Sequence, residues 1–185
     1  MAPARDRSCA RLTSRCSRTD ASVAPLPLAP APQRQVVRGS QMPGGGEKYA
    51  IVTGEWDGLP CVAVVNEALV GFEDKSAYEW HLSVVIDAQE VAEKGMPTQS
   101  EVLLLDAEGD RIQGAVCLDG AALFLARTTW NGNRRLHFRV RNPESTNAVL
   151  QRIVALGGEL RPWDYKMWRD PGWEQATWFF SPWTA

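Results

Sequence analysis

The sequence has few of the residues that build metal sites, disulfide frameworks and catalytic dyads. It contains four cysteines and two histidines among 185 residues, and no C-x-x-C pair. Secreted domains held together by disulfides carry more cysteines at closer spacing, so reduced thiols in a cytoplasmic protein fit better. P-loop, dinucleotide-binding, nucleophile-elbow and zinc-ligand patterns are also missing. We therefore expect no metal ion and no cofactor, and we favour a non-enzymatic role over catalysis.

Long apolar runs and an excess of basic charge are likewise missing from the main part of the chain. No stretch approaches the roughly 20 consecutive apolar residues of a membrane-spanning helix, which predicts that no membrane is involved. Residues 47–185 carry 13 basic and 20 acidic side chains, a net charge of −7. Contacts between basic side chains and phosphates supply most nucleic-acid affinity. The acidic composition therefore disfavours nucleic acid as a partner and fits a cytoplasmic protein, or one whose partner is basic.

Residues 1–46 differ in composition from the rest of the chain. They are rich in arginine, alanine, proline and serine, and their seven arginines and two acidic residues give a net charge of +5. They show no apolar periodicity, so they cannot bury enough apolar surface to offset the entropy lost on ordering. This composition predicts a disordered tail at 1–46 before a single domain at 47–185. We interpret the tail as a dispensable extension, with Met42 as an alternative start; a transit peptide is the other interpretation.

Alternating apolar residues and turn signals predict the strands of the domain. In the segment WHLSVVID, Leu82, Val84 and Ile86 fall on one face of a strand and His81 on the other. Asp-Gly at 57–58 and Asn-Gly at 131–132 predict tight hairpin turns, because both turn positions tolerate positive φ. The predicted strands are Tyr49–Trp56, Pro60–Asn66, Trp80–Asp87, Ala121–Trp130, Asn133–Arg141 and Glu159–Arg169.

Two helices complete the predicted fold. The first opens at Pro97–Glu101 and continues to Val116, and the second opens at Asn142–Ser145 and closes at glycines 157–158. From Trp80 onward the order is β-α-β-β-α-β, the ferredoxin-like or split βαβ arrangement. We predict an α+β domain with an antiparallel sheet, two helices on one face and an extra β-hairpin in front. For Asp170–Pro182 a short helix and a strand both remain open.

Two short motifs resemble those of a known family. The segment Arg127–Arg134 contains the pattern R-x-T-x-x-G-x-R and is followed by Phe138 and Val140. The end of the chain contains D-x-x-W at 170–173 and then Pro182, similar to a closing D-x-x-W…P signature. Over most of Tyr49–Pro182 the chain therefore resembles the bacterial domain-of-unknown-function family six-nine-five. That resemblance implies an α+β domain without established catalytic chemistry. More distantly, the family resembles the regulator of ribonuclease activity B group, acidic proteins that act by binding another protein.

One face of the predicted sheet carries the main candidate binding residues. If Leu136 and Phe138 point to the helices, the alternating side chains between them point to the opposite, open face. The candidate residues on that open face are His81, Arg135, His137 and Arg139. One interpretation is a site for an anion, an acidic partner or single-stranded nucleic acid. The alternative is a solvated face whose arginines pair with nearby acidic residues.

Four further positions are candidates for binding. Arg127, Thr129 and Arg134 flank the second hairpin turn, either as a ligand clamp or as turn-stabilising pairs. Trp173 is one of five tryptophans within the last 23 residues. It either anchors a partner or packs the C-terminus against the sheet.

These features favour a non-catalytic domain that acts by binding, with a protein as the preferred partner. The alternative is a small-ligand or anion-binding protein, or an enzyme, that uses the basic open sheet face. RNA binding by analogy with other sheet surfaces is a weaker alternative. A cysteine nucleophile at Cys61 or Cys117 is disfavoured, because it would require a lowered thiol pKa and a histidine within reach.

Overall fold

The computed structural model describes residues 35–37 and 48–180, with side chains described for 48–180. The described part contains seven strands and three α-helices. The strands are β1 (Gln35–Val37), β2 (Tyr49–Trp56), β3 (Leu59–Asn66), β4 (Trp80–Asp87), β5 (Ala122–Trp130), β6 (Asn133–Val140) and β7 (Trp163–Arg169). The helices are α1 (Gln99–Val116), α2 (Pro143–Leu156) and α3 (Glu174–Phe180).

The strands form one sheet in the order β1-β2-β3-β5-β6-β4-β7. Every neighbouring pair is antiparallel. Helix α1 connects β4 to β5, and α2 connects β6 to β7. The predicted α+β class is confirmed, and the sheet is larger than a simple four-stranded ferredoxin-like unit.

The largest boundary error concerns the last strand, which begins at Trp163 and not at Glu159. The segment before it is a loop, which leaves α2 through Gly157 and Gly158 with φ values of +67° and +80°. In addition, the Leu160 N–H donates to Glu108 Oε2 at 3.1 Å, which ties this loop to α1. For the C-terminal segment, the helix alternative is the one observed, as α3.

Strand β1 falls within the segment that the sequence predicts as a disordered tail. Val36 is the register partner of Val52 in β2, so β1 extends the sheet at that edge. Sequence reasoning did not predict this strand. The other residues of the predicted tail lie outside the described residues, and their disorder stays a prediction.

Both predicted hairpin turns are present. Asp57 and Gly58 join β2 to β3 with φ values of +51° and +74°. Asn131 and Gly132 join β5 to β6 with φ values of +45° and +75°. Two successive positive φ values match the twist of the flanking strands, and asparagine, aspartate and glycine reach them at the lowest cost.

The main core lies between the sheet and helices α1 and α2. Strand alternation points Leu82, Val84 and Ile86 of β4 into it, as predicted. Leu136 and Phe138 of β6 occupy the same layer. The helices contribute Leu105, Ile112, Val116, Leu150 and Ile153.

The opposite face of the sheet is covered, so the prediction of an open basic face is wrong. A second core contains Leu125 and Ala126 of β5 together with Trp173 and Phe179 from the C-terminal segment. His81, His137 and Arg139 are consequently buried beneath it. The alternation along β6 was predicted correctly. The error arose because the apolar residues of the C-terminal segment fold back over that face, which is the packing alternative stated for Trp173.

A buried carboxylate fixes the loops at one end of α1. Glu101 accepts two hydrogen bonds from Arg161, from Nε at 2.6 Å and from Nη2 at 2.5 Å. It also accepts the N–H of Gln89 at 2.9 Å. The hydrogen bonds from Arg161, more than any other cause, lower the pKa of Glu101 below its ordinary value. This carboxylate therefore joins the loop after β4 and the loop before β7 to the same helix.

Two glycine-to-alanine substitutions should change stability in opposite directions. Gly132→Ala should lower the free energy of unfolding by about 1–2 kcal/mol, because alanine resists the positive φ at this turn. A Cβ at Gly132 would lie 3.6 Å from Val91, an ordinary contact, so the cost would come from the backbone. Gly114→Ala should raise stability by about 0.5–1 kcal/mol, because this exposed glycine lies within α1 and has no neighbour that a Cβ would meet.

Urea denaturation of the two variants and the wild type would measure both changes. If the free energy of unfolding changed in the same direction in both variants, the result would contradict the turn conformation and the strand register that depends on it.

Candidate functional site

The second face of the sheet is organised around the guanidinium group of Arg139, which has no exposed surface. Arg139 Nη1 donates to Asp170 Oδ2 at 2.8 Å. Its Nη2 donates to the backbone oxygens of Asp170, at 2.6 Å, and Tyr78, at 3.0 Å. Burial lowers the pKa of Arg139, and the Asp170 carboxylate acts in the opposite direction. A strand in the centre of the sheet is thereby bound to the residue that follows β7.

Asp170 also caps the first turn of helix α3. Its carboxylate oxygens accept the N–H groups of Glu174, at 2.9 Å, and Gln175, at 3.2 Å. Trp173, in the turn between Asp170 and α3, lies over the Arg139 guanidinium with 4.7 Å between Cζ and the ring centroid. Its Nε1 donates to the Lys75 backbone oxygen at 3.1 Å. The D-x-x-W motif is therefore a structural element that caps a helix and covers a buried cation.

His81 and His137 lie beside this ion pair. His81 Nε2 and His137 Nδ1 are 3.2 Å apart, and one of them supplies the proton that the other accepts. Arg139 Nη1 approaches His81 Nδ1 at 3.4 Å. If the guanidinium donates there, His81 carries its proton on Nε2 and donates it to His137. Trp168 and Phe179 close the site, with ring centroids 4.6 Å from His81 and 4.8 Å from His137 respectively.

Both imidazoles are held in the neutral form. Burial, followed by the positive charge of Arg139, lowers the pKa of His81 to about 3. Burial is also the main cause that holds the pKa of His137 well below its ordinary value, with His81 and Arg135 as lesser causes. The site thus contains one compensated ion pair and two neutral rings, which is the arrangement of a packed polar core.

The second predicted group of residues is brought together on the helix side of the sheet. Arg127 Nη1 donates to Asp106 Oδ1 of α1 at 2.8 Å, and Arg134 Nη1 donates to the same oxygen. Arg134 Nε also donates to Thr129 Oγ1 at 3.3 Å. Burial lowers the pKa of Arg134, and the charge of Asp106 opposes that change. The contacts match the turn-stabilising alternative, since they bind the second hairpin to α1.

A surface of three tryptophans was not among the predicted site residues. Trp56 and Trp130 are stacked with ring centroids 5.0 Å apart, and Trp178 of α3 lies 5.8 Å from Trp56. Trp130 Nε1 donates to the Trp56 backbone oxygen at 3.0 Å, which fixes its ring. The side chain of Trp178 is 40% exposed. The sequence signal for this surface was a tryptophan directly before each hairpin turn. The ends of β2 and β5 both pair with the start of β3, so the two tryptophans lie at the same end of the sheet.

Thus the predicted residues occupy two different environments. His81, His137, Arg139 and Trp173 are buried under the C-terminal segment, with Arg135 half-buried beside them. Arg127, Thr129 and Arg134 belong to the ion-pair cluster at Asp106. Whether any of them contacts a ligand stays a prediction.

Other features bear on chemistry. Burial raises the pKa of Cys61 to about 11, so this residue is a neutral thiol and not an activated nucleophile at neutral pH. Within residues 48–180, no cluster of three or more His, Cys, Asp or Glu side chains could hold a metal ion. None of the described helices is long and apolar enough to cross a membrane.

The two buried histidines should make stability fall as the solution is acidified. Because the pKa of each is lower in the folded than in the unfolded state, the unfolded chain binds more protons below about pH 6.5. Stability should therefore be at its full value above pH 6.5 and decline below it, by up to ~1.4 kcal/mol per pH unit for each histidine. Urea denaturation between pH 7.5 and pH 5.0 measures this slope before most carboxylates titrate.

The double variant His81→Leu/His137→Leu is the matched comparison. Removing both partners of a buried hydrogen bond leaves no unpaired donor between them, so the variant should fold. Its stability should vary much less over the same pH range. An equal slope in variant and wild type would show that the histidines are not the cause.

The comparisons with known proteins concern the same part of the chain. No curated protein and no solved structure matches it. The comparisons give no support to the more distant resemblance to the regulator of ribonuclease activity B group. One family model matches residues 47–180, and its description is a family of unknown function, DUF695. Those residues include the R-x-T-x-x-G-x-R and D-x-x-W patterns and the nine elements β2–β7 and α1–α3, so the chain belongs to the DUF695 family.

Proposed function

We propose that this domain acts without catalysis, by binding a protein partner in the cytoplasm through the surface formed by Trp56, Trp130 and Trp178. The observation that carries the proposal is the contact of three tryptophan rings: Trp56 is stacked on Trp130, and Trp178, which is 40% exposed, is tilted against Trp56. Tryptophan is enriched among the residues that dominate binding energy, because it offers a large rigid contact area. The free thiol at Cys61 fits a reducing compartment.

Rigidity supports this role for the tryptophan surface. The Trp130 ring is held by its hydrogen bond to the Trp56 backbone and by stacking. Trp178 packs edge-on against the buried ring of Phe179, with centroids 4.9 Å apart. Side chains that are already ordered lose less entropy on binding, so more of the contact energy appears as affinity.

The charges around this surface indicate the kind of partner. Asp57, which follows Trp56 in sequence, is exposed, and so is Glu174, one helical turn before Trp178. The domain as a whole is also acidic. The surface therefore suits a partner segment with an apolar side chain flanked by lysine or arginine. Nucleic acid is an unfavourable ligand for the same reason.

We also infer that the part of the chain from β4 to β7 is a ferredoxin-like unit. Its support is the strand order β5-β6-β4-β7 with α1 and α2 as the connecting helices. In this arrangement β2 and β3 extend the sheet beyond β5 and bring Trp56 next to Trp130. The extra hairpin would then be the addition that builds the binding surface.

Trp178→Ala should abolish partner retention while preserving the fold. Full-length chain immobilised on beads would be exposed to lysate of the native cell, and specifically retained proteins would be identified by mass spectrometry. Loss of a central tryptophan should weaken binding by about 30-fold or more, corresponding to ~2 kcal/mol. Glu174→Lys should weaken retention of the same protein, because it would repel a basic segment.

Leu118→Ala is the matched control, since Leu118 is a 65% exposed apolar residue outside this surface. It should retain the partner as the wild type does. A partner retained equally by all three variants would show that binding uses another surface. The proposal would also be overturned if every protein that the wild type retains were retained by Trp178→Ala as well, or if the wild type retained none.

A further inference from the structure

Strand β7 is the last strand of the sheet, with β4 on one side only. Among the described residues no strand pairs with its outer edge. Such an edge presents N–H and C=O groups that can pair with another chain. Which residues present those groups follows from the hydrogen bonds to β4 and its neighbours.

The odd-numbered residues of β7 point their backbone groups outward. Asp87 N–H donates to the Pro162 oxygen at 3.0 Å, and Asp170 N–H donates to the Glu79 oxygen at 2.7 Å. Residues in an antiparallel ladder alternate between facing and not facing the partner strand. Even-numbered positions therefore face β4. The outward backbone groups belong to Trp163, Tyr165, Met167 and Arg169.

One outward N–H is satisfied by a neighbouring side chain. Tyr165 N–H donates to Asp164 Oδ1 at 2.7 Å. Asp164 and Lys166 are both exposed, on the sheet face opposite to the helices. The side chains of Trp163, Tyr165 and Met167 pack against the main core on the helix side. The edge is thus polar on one face and apolar on the other.

The sequence of β7 is complementary to itself in one antiparallel register. When two β7 strands pair antiparallel with Tyr165 opposite Tyr165, Asp164 lies opposite Lys166 twice and Trp163 lies opposite Met167 twice. Centred on Asp164 or on Lys166, the same pairing puts like charges opposite each other. Centred on Met167, it puts Lys166 opposite Trp168. Opposite charges directly across an antiparallel pair are favourable and like charges are not.

We propose that β7 is a self-association edge and that its partner is a second copy of this chain, paired antiparallel about Tyr165. The outward N–H and C=O of Tyr165 then bond to those of the second copy, and the Asp164 carboxylate turns from the Tyr165 N–H to the Lys166 ammonium of that copy. The two sheets become one continuous sheet related by a two-fold axis, a closed and isologous contact. This inference does not depend on the proposed function. Strand β7 forms one edge of the sheet, whereas Trp56 and Trp130 lie on β2 and β5, toward the other edge.

Charge reversal and exchange at Asp164 and Lys166 test the pairing. Sedimentation velocity of the full-length chain over a range of concentrations gives the dimer dissociation constant. Asp164→Lys and Lys166→Asp should each raise that constant at least about tenfold, since each creates two like-charge pairs. The double variant Asp164→Lys/Lys166→Asp should restore it to within about threefold of the wild type, because the opposite-charge pairs return with their signs exchanged.

Both side chains are exposed, so circular dichroism should show an unchanged fold in every variant. A wild-type chain that is monomeric at all concentrations would overturn the proposal. So would a dimer that the single variants leave intact, or one that the double variant fails to restore. If the chain did not dimerise but still retained its partner through the tryptophan surface, only the self-association proposal would fail. If it dimerised as described but retained no partner, only the proposed function would fail.

Discussion

Arg139 lies near the middle of the sheet with a side chain that no solvent reaches, and its only described carboxylate partner is Asp170. A buried guanidinium without a counter-ion destabilises the folded state by about several kcal/mol. The residues after β7 therefore have to return across the sheet to supply a carboxylate. The same carboxylate caps α3, and the segment from Asp170 through α3 places Trp173 and Phe179 over the face. One ion pair therefore determines that this domain has two cores and not one.

Covering that face changes where function can reside. The histidines are neutral in the interior, and the two arginines of the hairpin motif are held by Asp106. The motif residues that mark the family thus have structural roles that the contacts explain. Surfaces suited to recognition lie elsewhere, at the tryptophans near the two hairpin turns and along the outer edge of β7.

Local sequence signals were sufficient for most of the fold, because hairpin turns, caps and strand alternation depend on neighbouring residues. Asn131 and Gly132 adopt the positive φ values that their side chains favour, and Asn142 caps α2 through the N–H groups of Glu144 and Ser145. The docking of α3 was not predictable in this way. It depends on Arg139 meeting Asp170, residues that are distant in sequence, and alternation alone could not tell a solvent-facing arginine from one facing a second layer.

Amide hydrogen exchange of the C-terminal segment tests the central claim most directly. If Asp170 holds this segment on the sheet, the amides of Glu174, Gln175 and Thr177 should exchange almost as slowly as those of β4. Asp170→Ala should accelerate exchange in the segment far more than in β4. Rapid exchange of these three amides in the wild-type chain, with β4 still protected, would contradict the account, because the second face would then be open.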